Sequence, residues 1–280
     1  MQAARRAGKD GFSQPDYGKG LDIDMLAIER RNEILEKLQK EKRVVVSELS
    51  KAYGVTEETI RRDLEKLEKD GYVIKSYGGA VLNENMNIDM PFNVRKNTNV
   101  VGKQRIAELV NAMVKDGERL ILDASSTAVF IAKRLKEEKR NLTIITNSIE
   151  IIIELFDAQD WQVLSTGGLA MEGSLALVGP QTDQMLRSYY VDKAIISCKG
   201  FDMDNGVTDS NELHARNKKT MLERSGCRIL AVDSSKFGHT AFTNIGGLEN
   251  ISTIITDEKP EEKWLQLFDR YHVECVWPEE

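Results

Sequence analysis

Residues 47–82, SELSKAYGVTEETIRRDLEKLEKDGYVIKSYGGAVL, can satisfy their own local preferences in few ways. Ser47 is placed to cap a helix with Leu49, Ala52 and Tyr53 on its inward face, and Gly54 supplies the left-handed residue that ends it. After the Gly54-Val55 turn, Thr56 caps a second helix. Glu57 and Glu58 fall in its first turn, where acidic side chains suit the macrodipole. Ile60, Leu64 and Leu67 then follow at i, i+4 and i+7, and Gly71 closes the element. The opposite face of this helix holds Thr59, Arg61, Arg62 and Lys66.

Residues 72–74 and 80–82 read as a two-stranded wing joined through Tyr77-Gly78-Gly79, with Lys75 and Tyr77 near its tip. Helix, turn, helix and wing in that order make a DNA-reading head, because a helix fits the major groove and forked arginine donors suit guanine edges or phosphates. Ser47, Thr56, Thr59, Arg61, Arg62, Lys66, Lys75 and Tyr77 are expected at double-stranded DNA. A first helix over 27–40, with Ile28, Ile34, Leu35 and Leu38 inward, and a strand at 44–46 complete a winged helix-turn-helix.

A chain of 280 residues suggests more than this one unit. Residues 1–24 have no periodicity and no apolar signal region, so a disordered extension with Met25 as the natural start is expected. The head occupies 25–82, a linker rich in Asn, Met and Pro 83–99, and a second domain 100–280. The head carries 12 Lys/Arg against 11 Asp/Glu and residues 83–280 carry 23 against 30. A nearly neutral head should rely on oriented contacts and on two heads per complex, so a homodimer or homotetramer is expected. Three widely spaced cysteines argue against a disulfide framework and against a zinc site, and for a cytoplasmic protein. No apolar run is long enough to span a membrane.

Beyond the linker, apolar runs at 120–122, 142–145, 163–164, 194–196, 229–232, 254–255 and 273–276 alternate with helical patterns at 127–135, 148–156, 180–190 and 213–224. Runs apolar on both faces point to an α/β domain with a largely parallel sheet covered on both sides. Ligands in such sheets bind at the carboxyl ends of strands. Four such ends carry small, polar or glycine-rich residues: Asp123 to Thr127, Thr146-Asn147-Ser148, Thr166-Gly167-Gly168 and Cys198-Lys199-Gly200. A fifth is Asp233 to Gly238. Hydroxyls and free N–H groups at a helix start can hold a phosphate, with Lys199, Lys218 and Lys236 as possible cationic partners. No G-x-G-x-x-G follows a strand, and no cofactor or metal is expected.

In these motifs the chain resembles the DeoR-type bacterial transcriptional regulators. The head shows T-E-E-T-I-R-R-D-L at 56–64, L-E-K-D-G at 67–71 and G-G-A at 78–80, with Tyr77 where the family often has His. The body shows D-A-S-S-T at 123–127, T-N-S at 146–148, G-G at 167–168 and D-S-S-K-F at 233–237. Met90 to Arg95 is similar to a family segment that docks the linker on the body. The resemblance implies a second domain similar to ribose-5-phosphate isomerase and acyl-CoA transferase folds, and a repressor of a sugar-metabolism operon that senses a phosphorylated sugar. Phosphate would be held by Ser125, Ser126 and Thr127, with Asn147, Gly168, Lys199 and Lys236 along the sugar. Asp123, Ser148, Gly167 and Gly200 complete the expected effector site. Cys198 to Phe201 and His214 depart from the family pattern. The alternative, a sugar-phosphate isomerase with a DNA-binding head, would need Asp123, Asp202 or Asp233 as base; His214, His239 and His272 show no triad or metal spacing.

Overall fold

The computed structural model describes residues 26–83 and 90–279. The expected extension over 1–24, the start at Met25 and the middle of the linker lie outside these residues.

In the head, α1 (Ala27–Glu41) leads into β1 (Arg43–Val45), α2 (Val46–Tyr53), α3 (Glu57–Lys69) and the wing, β2 (Val73–Ser76) with β3 (Gly79–Leu82). The wing pairs antiparallel, and β1 adds to β3 to make a three-stranded sheet. Gly79 is needed where β3 crosses β1, since a Cβ there would sit 2.0 Å from the Val44 carbonyl oxygen. Ile34, Leu38, Leu49, Ile60, Leu64 and Leu67 form the core of the head.

Three details depart from the expected head. Ser47 does not cap α2: Val46 donates its N–H to the Gly78 carbonyl at 2.8 Å and buries its side chain, so the helix starts two residues earlier, with Val45 at its N-cap, and leaves Ser47 exposed in its first turn. Ala52 faces solvent, and the turn after α2 is closed by the Ser50 hydroxyl donating to the Val55 carbonyl at 2.6 Å. Ile28, two turns before Leu35, lies beyond the reach of the core and is 60% exposed.

The second domain begins with α4 (Phe92–Asn97) and α5 (Val100–Met113). Then come β4 (Arg119–Leu122), α6 (Ser126–Glu138), β5 (Thr143–Thr146), α7 (Ile149–Glu154) and β6 (Gln162–Ser165). A hairpin, β7 (Leu169–Met171) and β8 (Ala176–Val178), precedes α8 (Pro180–Arg187) and β9 (Val191–Ile196). After these follow β10 (Gly200–Asp202), β11 (Gly206–Asp209), α9 (Glu212–Glu223), β12 (Ser225–Ala231), β13 (Thr243–Gly246), β14 (Thr253–Ile255), α10 (Glu262–Arg270) and β15 (Glu274–Val276).

Among the described residues, all seven expected apolar runs join one parallel sheet, in the order β15-β14-β12-β9-β4-β5-β6. Alternate side chains feed two cores. Leu120, Leu122 and Ile144 meet α5 and α6 on one face, while Ile121, Ile145 and Ala194 meet α9 and α10 on the other. The chain runs outward from β4 through β5 to β6 and returns to the other side of β4 as β9. The strand order therefore reverses between β4 and β9, and a crevice opens outside their carboxyl ends.

The expected linker contains α4, which belongs to both domains. Phe92 is buried in the sheet core of the body and Val94 in the core of the head. The Phe92 N–H donates to the Gly173 carbonyl at 2.8 Å, and Asn97 Nδ2 reaches Glu36 Oε1 of α1 at 2.6 Å. Two buried side chains on so short a helix explain why it forms: tertiary burial, not propensity, stabilises it.

Candidate functional site

The outer face of α3 exposes Arg61, Arg62 and Lys66 among acidic neighbours. Thr56 caps the helix, its hydroxyl accepting from the Thr59 N–H at 3.2 Å. Arg61 pairs with Glu57 at 2.6 Å, Arg62 with Glu58 at 3.4 Å and Lys66 with Asp70 at 3.0 Å, all one turn apart. Lys75 of the wing meets Glu65 at 3.2 Å, and Tyr77 stands fully exposed at the tip. Solvated pairs of this kind contribute about 0.2–1 kcal/mol each, so separating the base from its acid costs little. Beneath this face, Arg30 of α1 reaches Asp63 of α3 at 2.6 Å with both side chains buried, and Arg31 joins at 3.3 Å. That ion pair sets how α3 sits on α1.

The second site is a cavity of about 610 Å³ at the β4/β9 crevice. Asp123 ends β4 and organises the rim. Its Oδ1 accepts from the Ser125 N–H at 3.1 Å and hydroxyl at 2.5 Å, and its Oδ2 from the Ser197 N–H beyond β9 at 3.0 Å. Ser125 in turn caps α6, accepting from the Ala128 N–H at 3.1 Å. The Ser126 and Thr127 N–H groups, at the first two positions of α6, have no carbonyl within the helix to bond to, and both residues line the cavity.

Asn147 follows β5 on the same wall. It is 2% exposed; its Nδ2 donates to the Leu177 carbonyl at 3.0 Å, while its Oδ1 has no hydrogen-bond partner. A buried acceptor left unsatisfied costs about 1–3 kcal/mol, which a donor on a ligand would recover. Half-buried Lys199 and Lys236 line the cavity as well.

Under the rim, Lys218 of α9 donates to Asp209 Oδ2 at 2.5 Å and to the Ser197 carbonyl at 2.8 Å, and lies 3.3 Å from Asp123 Oδ2. Burial alone would lower the Lys218 pKa and raise that of Asp209. The mutual attraction outweighs it, so the lysine is held above its ordinary value and the aspartate below. Burial pushes the neighbouring Cys198 thiol up to about 12, which keeps it protonated and inert.

Of the eleven residues expected at an effector, Asp123, Ser125, Ser126, Thr127, Asn147, Lys199 and Lys236 come together on this cavity. Ser148, Gly167, Gly168 and Gly200 do not line it, and each has a local structural role. Ser148 is fully buried and caps α7 through Ile151 at 3.2 Å. Gly167 turns the chain at φ +62° and its carbonyl accepts from the Thr182 hydroxyl at 2.7 Å. A Cβ on Gly168 would lie 2.3 Å from the Thr182 hydroxyl, and one on Gly200 2.4 Å from the His239 carbonyl oxygen. The cavity also takes in residues not expected at the effector, among them Arg95, Lys103, His214 and His239, with Gln39 and Lys42 from the head and Asn83 from the start of the linker. Nothing in the sequence context of Gln39, Lys42 or Lys103 separates them from ordinary surface residues, because the fold alone brings them together.

Residues 98–258 match the DeoR C terminal sensor domain and residues 30–86 the DeoR-like helix-turn-helix domain. The chain belongs to the DeoR family. The HTH-type transcriptional regulator YulB of Bacillus subtilis is 47% identical over 233 residues, 83% of this chain and 90% of that protein. The glycerol-3-phosphate regulon repressor of Escherichia coli is 28% identical over 250 residues, 89% of this chain and 98% of that one. A solved ribose 5-phosphate isomerase from Methanocaldococcus jannaschii overlaps 50% of this chain and 55% of its own, at 19% identity and a TM-score of 0.37.

As a DeoR-family protein it is a DNA-binding transcriptional regulator and not an enzyme, and the isomerase alternative has no support. No helix among the described residues is long and apolar enough to cross a membrane.

Proposed function

We propose that this DeoR-family regulator is a repressor of a sugar-metabolism operon, and that a phosphorylated sugar in the β4/β9 cavity alters its operator affinity. The observation that carries the reading is the buried, unpartnered Asn147 Oδ1 on the same cavity as Ser126 and Thr127, whose N–H groups open α6 and have no carbonyl within the helix to bond to. That combination asks for a ligand with a hydroxyl donor at one end and an anionic acceptor at the other. A phosphorylated sugar supplies both. Lys199 and Lys236 add charge-assisted donors, and the volume falls within the roughly 300–1,000 Å³ usual for small-molecule sites.

In this reading α3 lies in the major groove. Arg61 and Arg62 exchange their glutamate partners for DNA, Thr56, Thr59 and Lys66 follow the same face, and Lys75 and Tyr77 of the wing meet the backbone. Ser47, exposed in the first turn of α2, faces a neighbouring phosphate. Two or more copies act together, because a nearly neutral head gains affinity by pairing.

The test is thermal unfolding of the full chain against phosphorylated sugars and their unphosphorylated parents. A ligand at 100 times its dissociation constant adds about 2.7 kcal/mol, a readable shift. Phosphorylated members alone are expected to shift the transition, and Asn147→Ala to reduce the shift. Equal shifts by the parent sugars would refute the anion end of the site.

A further inference from the structure

The cavity is not walled by the second domain alone. Gln39 and Lys42 of the head line it, with Leu82 at the end of the wing, next to the strap that joins the two domains, α4 and the residues around it. Gln39 lies half-buried in the last turn of α1, and Lys42 ends that helix with a left-handed backbone at φ +65°. The Lys42 N–H donates to the Leu38 carbonyl at 2.9 Å, and its carbonyl accepts from the Leu82 N–H at 3.3 Å, so the root of the side chain is pinned between α1 and the wing. Its ammonium is exposed and, among the described residues, makes no hydrogen bond or ion pair. The cations on the opposite, DNA-facing side differ: Arg61, Arg62, Lys66 and Lys75 each hold a carboxylate. Lys218 under the rim is likewise committed, to Asp209 and Asp123.

We propose that the head completes the effector site, with Lys42 as a binding residue for an anionic group and Gln39 beside it as a neutral hydrogen-bonding partner. The inference rests on the effector reading above. Lys42 stands at the C-terminal end of α1, the negative end of that helix's dipole. Without a cation there this wall repels an anion; with one it attracts it. A lysine brings three donors on a flexible stem, and here none has to release a protein acceptor first. The Gln39 amide offers both donors and an acceptor to a hydroxyl or a phosphate oxygen. An occupant held by α6 of the second domain and by Lys42 of the head touches both domains at once. Its affinity therefore depends directly on where the head sits.

The probe is inorganic phosphate, with potassium chloride at matched ionic strength as the control, and its affinity for the full chain is read by calorimetry. Lys42→Gly removes the ammonium at a position where glycine takes φ +65° without strain. The wild type is expected to bind phosphate, and Lys42→Gly to bind it about fivefold more weakly, the upper range for a charge pair open to solvent. Lys42→Gln, which keeps most of the stem and removes the charge, is expected to show the same loss and reads the site should glycine loosen the end of α1. Lys42→Arg keeps the charge and is expected to stay near the wild type. So is Lys40→Ala, which removes a charge from an exposed position of the same helix away from the cavity. Wild-type affinity in folded Lys42→Gly or Lys42→Gln overturns the inference and leaves the effector site standing. An equal loss in Lys40→Ala overturns it as well, since the general field of the head would then be the cause. Absence of phosphate binding to the wild type overturns the effector reading and this inference with it.

Discussion

Replacing Lys218 by Met tests whether charge under the cavity rim organises the site. The lysine holds two carboxylates, Asp123 and Asp209, each 1% exposed. Asp123 keeps the Ser125 and Ser197 donors without it, and Asp209 keeps the Ser210 N–H at 2.8 Å, a long hydroxyl contact and the charges of Lys199 and His214. Breaking a buried pair by removing one partner costs about 3–5 kcal/mol, a large share of the roughly 5–15 kcal/mol that stabilises a domain. The pH dependence follows from the same pair. In the wild type Asp209 is held below its ordinary value, so its contribution is present above the unfolded pKa and is lost as pH falls through the folded one. In the variant burial is opposed less, by the charges of Lys199 and His214 without that of Lys218, so the Asp209 pKa rises, acidification neutralises the group more readily and the variant regains stability relative to wild type. Trp161, Trp264 and Trp277 all lie in the second domain, so urea unfolding followed by tryptophan fluorescence reads this domain. The expected result is a loss of about 3–5 kcal/mol near neutral pH that shrinks toward pH 5, with Asp209→Asn in the Lys218→Met background restoring much of it. A loss under about 1 kcal/mol, or one that is independent of pH, would refute the reasoning.

The remaining predictions concern the head and the strap. Asp63→Ala leaves Arg30 charged and buried, and should destabilise the head by about 3–5 kcal/mol, read as loss of operator binding at a temperature where the second domain stays folded. Lys103, with its pKa lowered from 10.5 to about 8, binds fewer protons folded than unfolded in that interval, so stability should rise with pH across it, by up to about 3 kcal/mol. The measurement is the difference between wild-type and Lys103→Met unfolding curves, which removes other titrations such as that of Tyr53, raised by burial to about 12. A flat difference would show that Lys103 does not titrate there.

The head was legible because its signals are local. Thr56 caps α3, Gly54 takes φ +65°, and Ile60, Leu64 and Leu67 repeat at the helical period, so sequence neighbours alone determine the elements. The parallel strands were legible because burial on both faces leaves unbroken apolar runs. The sheet order was not readable, and with it the reversal at β4/β9 that puts the cavity there. Polar residues buried by tertiary contact were missed for a related reason. Asp63 and Lys103 lie on helices among charged neighbours, and periodicity assigns such residues to solvent. Ser148, Gly167 and Gly168 show the converse: caps, turns and close backbone crossings select the same small residues that ligand sites use. The segment around α4 was read as docking on the body alone, because six residues carry no period and its two anchors, Phe92 and Val94, enter different cores.

In the proposed function a sugar phosphate in the cavity and operator DNA at α3 are coupled through one chain. The most direct measurement is operator binding by the full chain, followed by fluorescence anisotropy, with and without the phosphorylated sugar that stabilises it most. The account expects a change in operator dissociation constant within about 5- to 150-fold. It also expects Arg61→Ala with Arg62→Ala to weaken operator binding while the thermal shift by the sugar persists. A sugar phosphate that raises the melting temperature and leaves operator affinity unchanged would contradict the account, as would operator affinity that survives loss of both arginines.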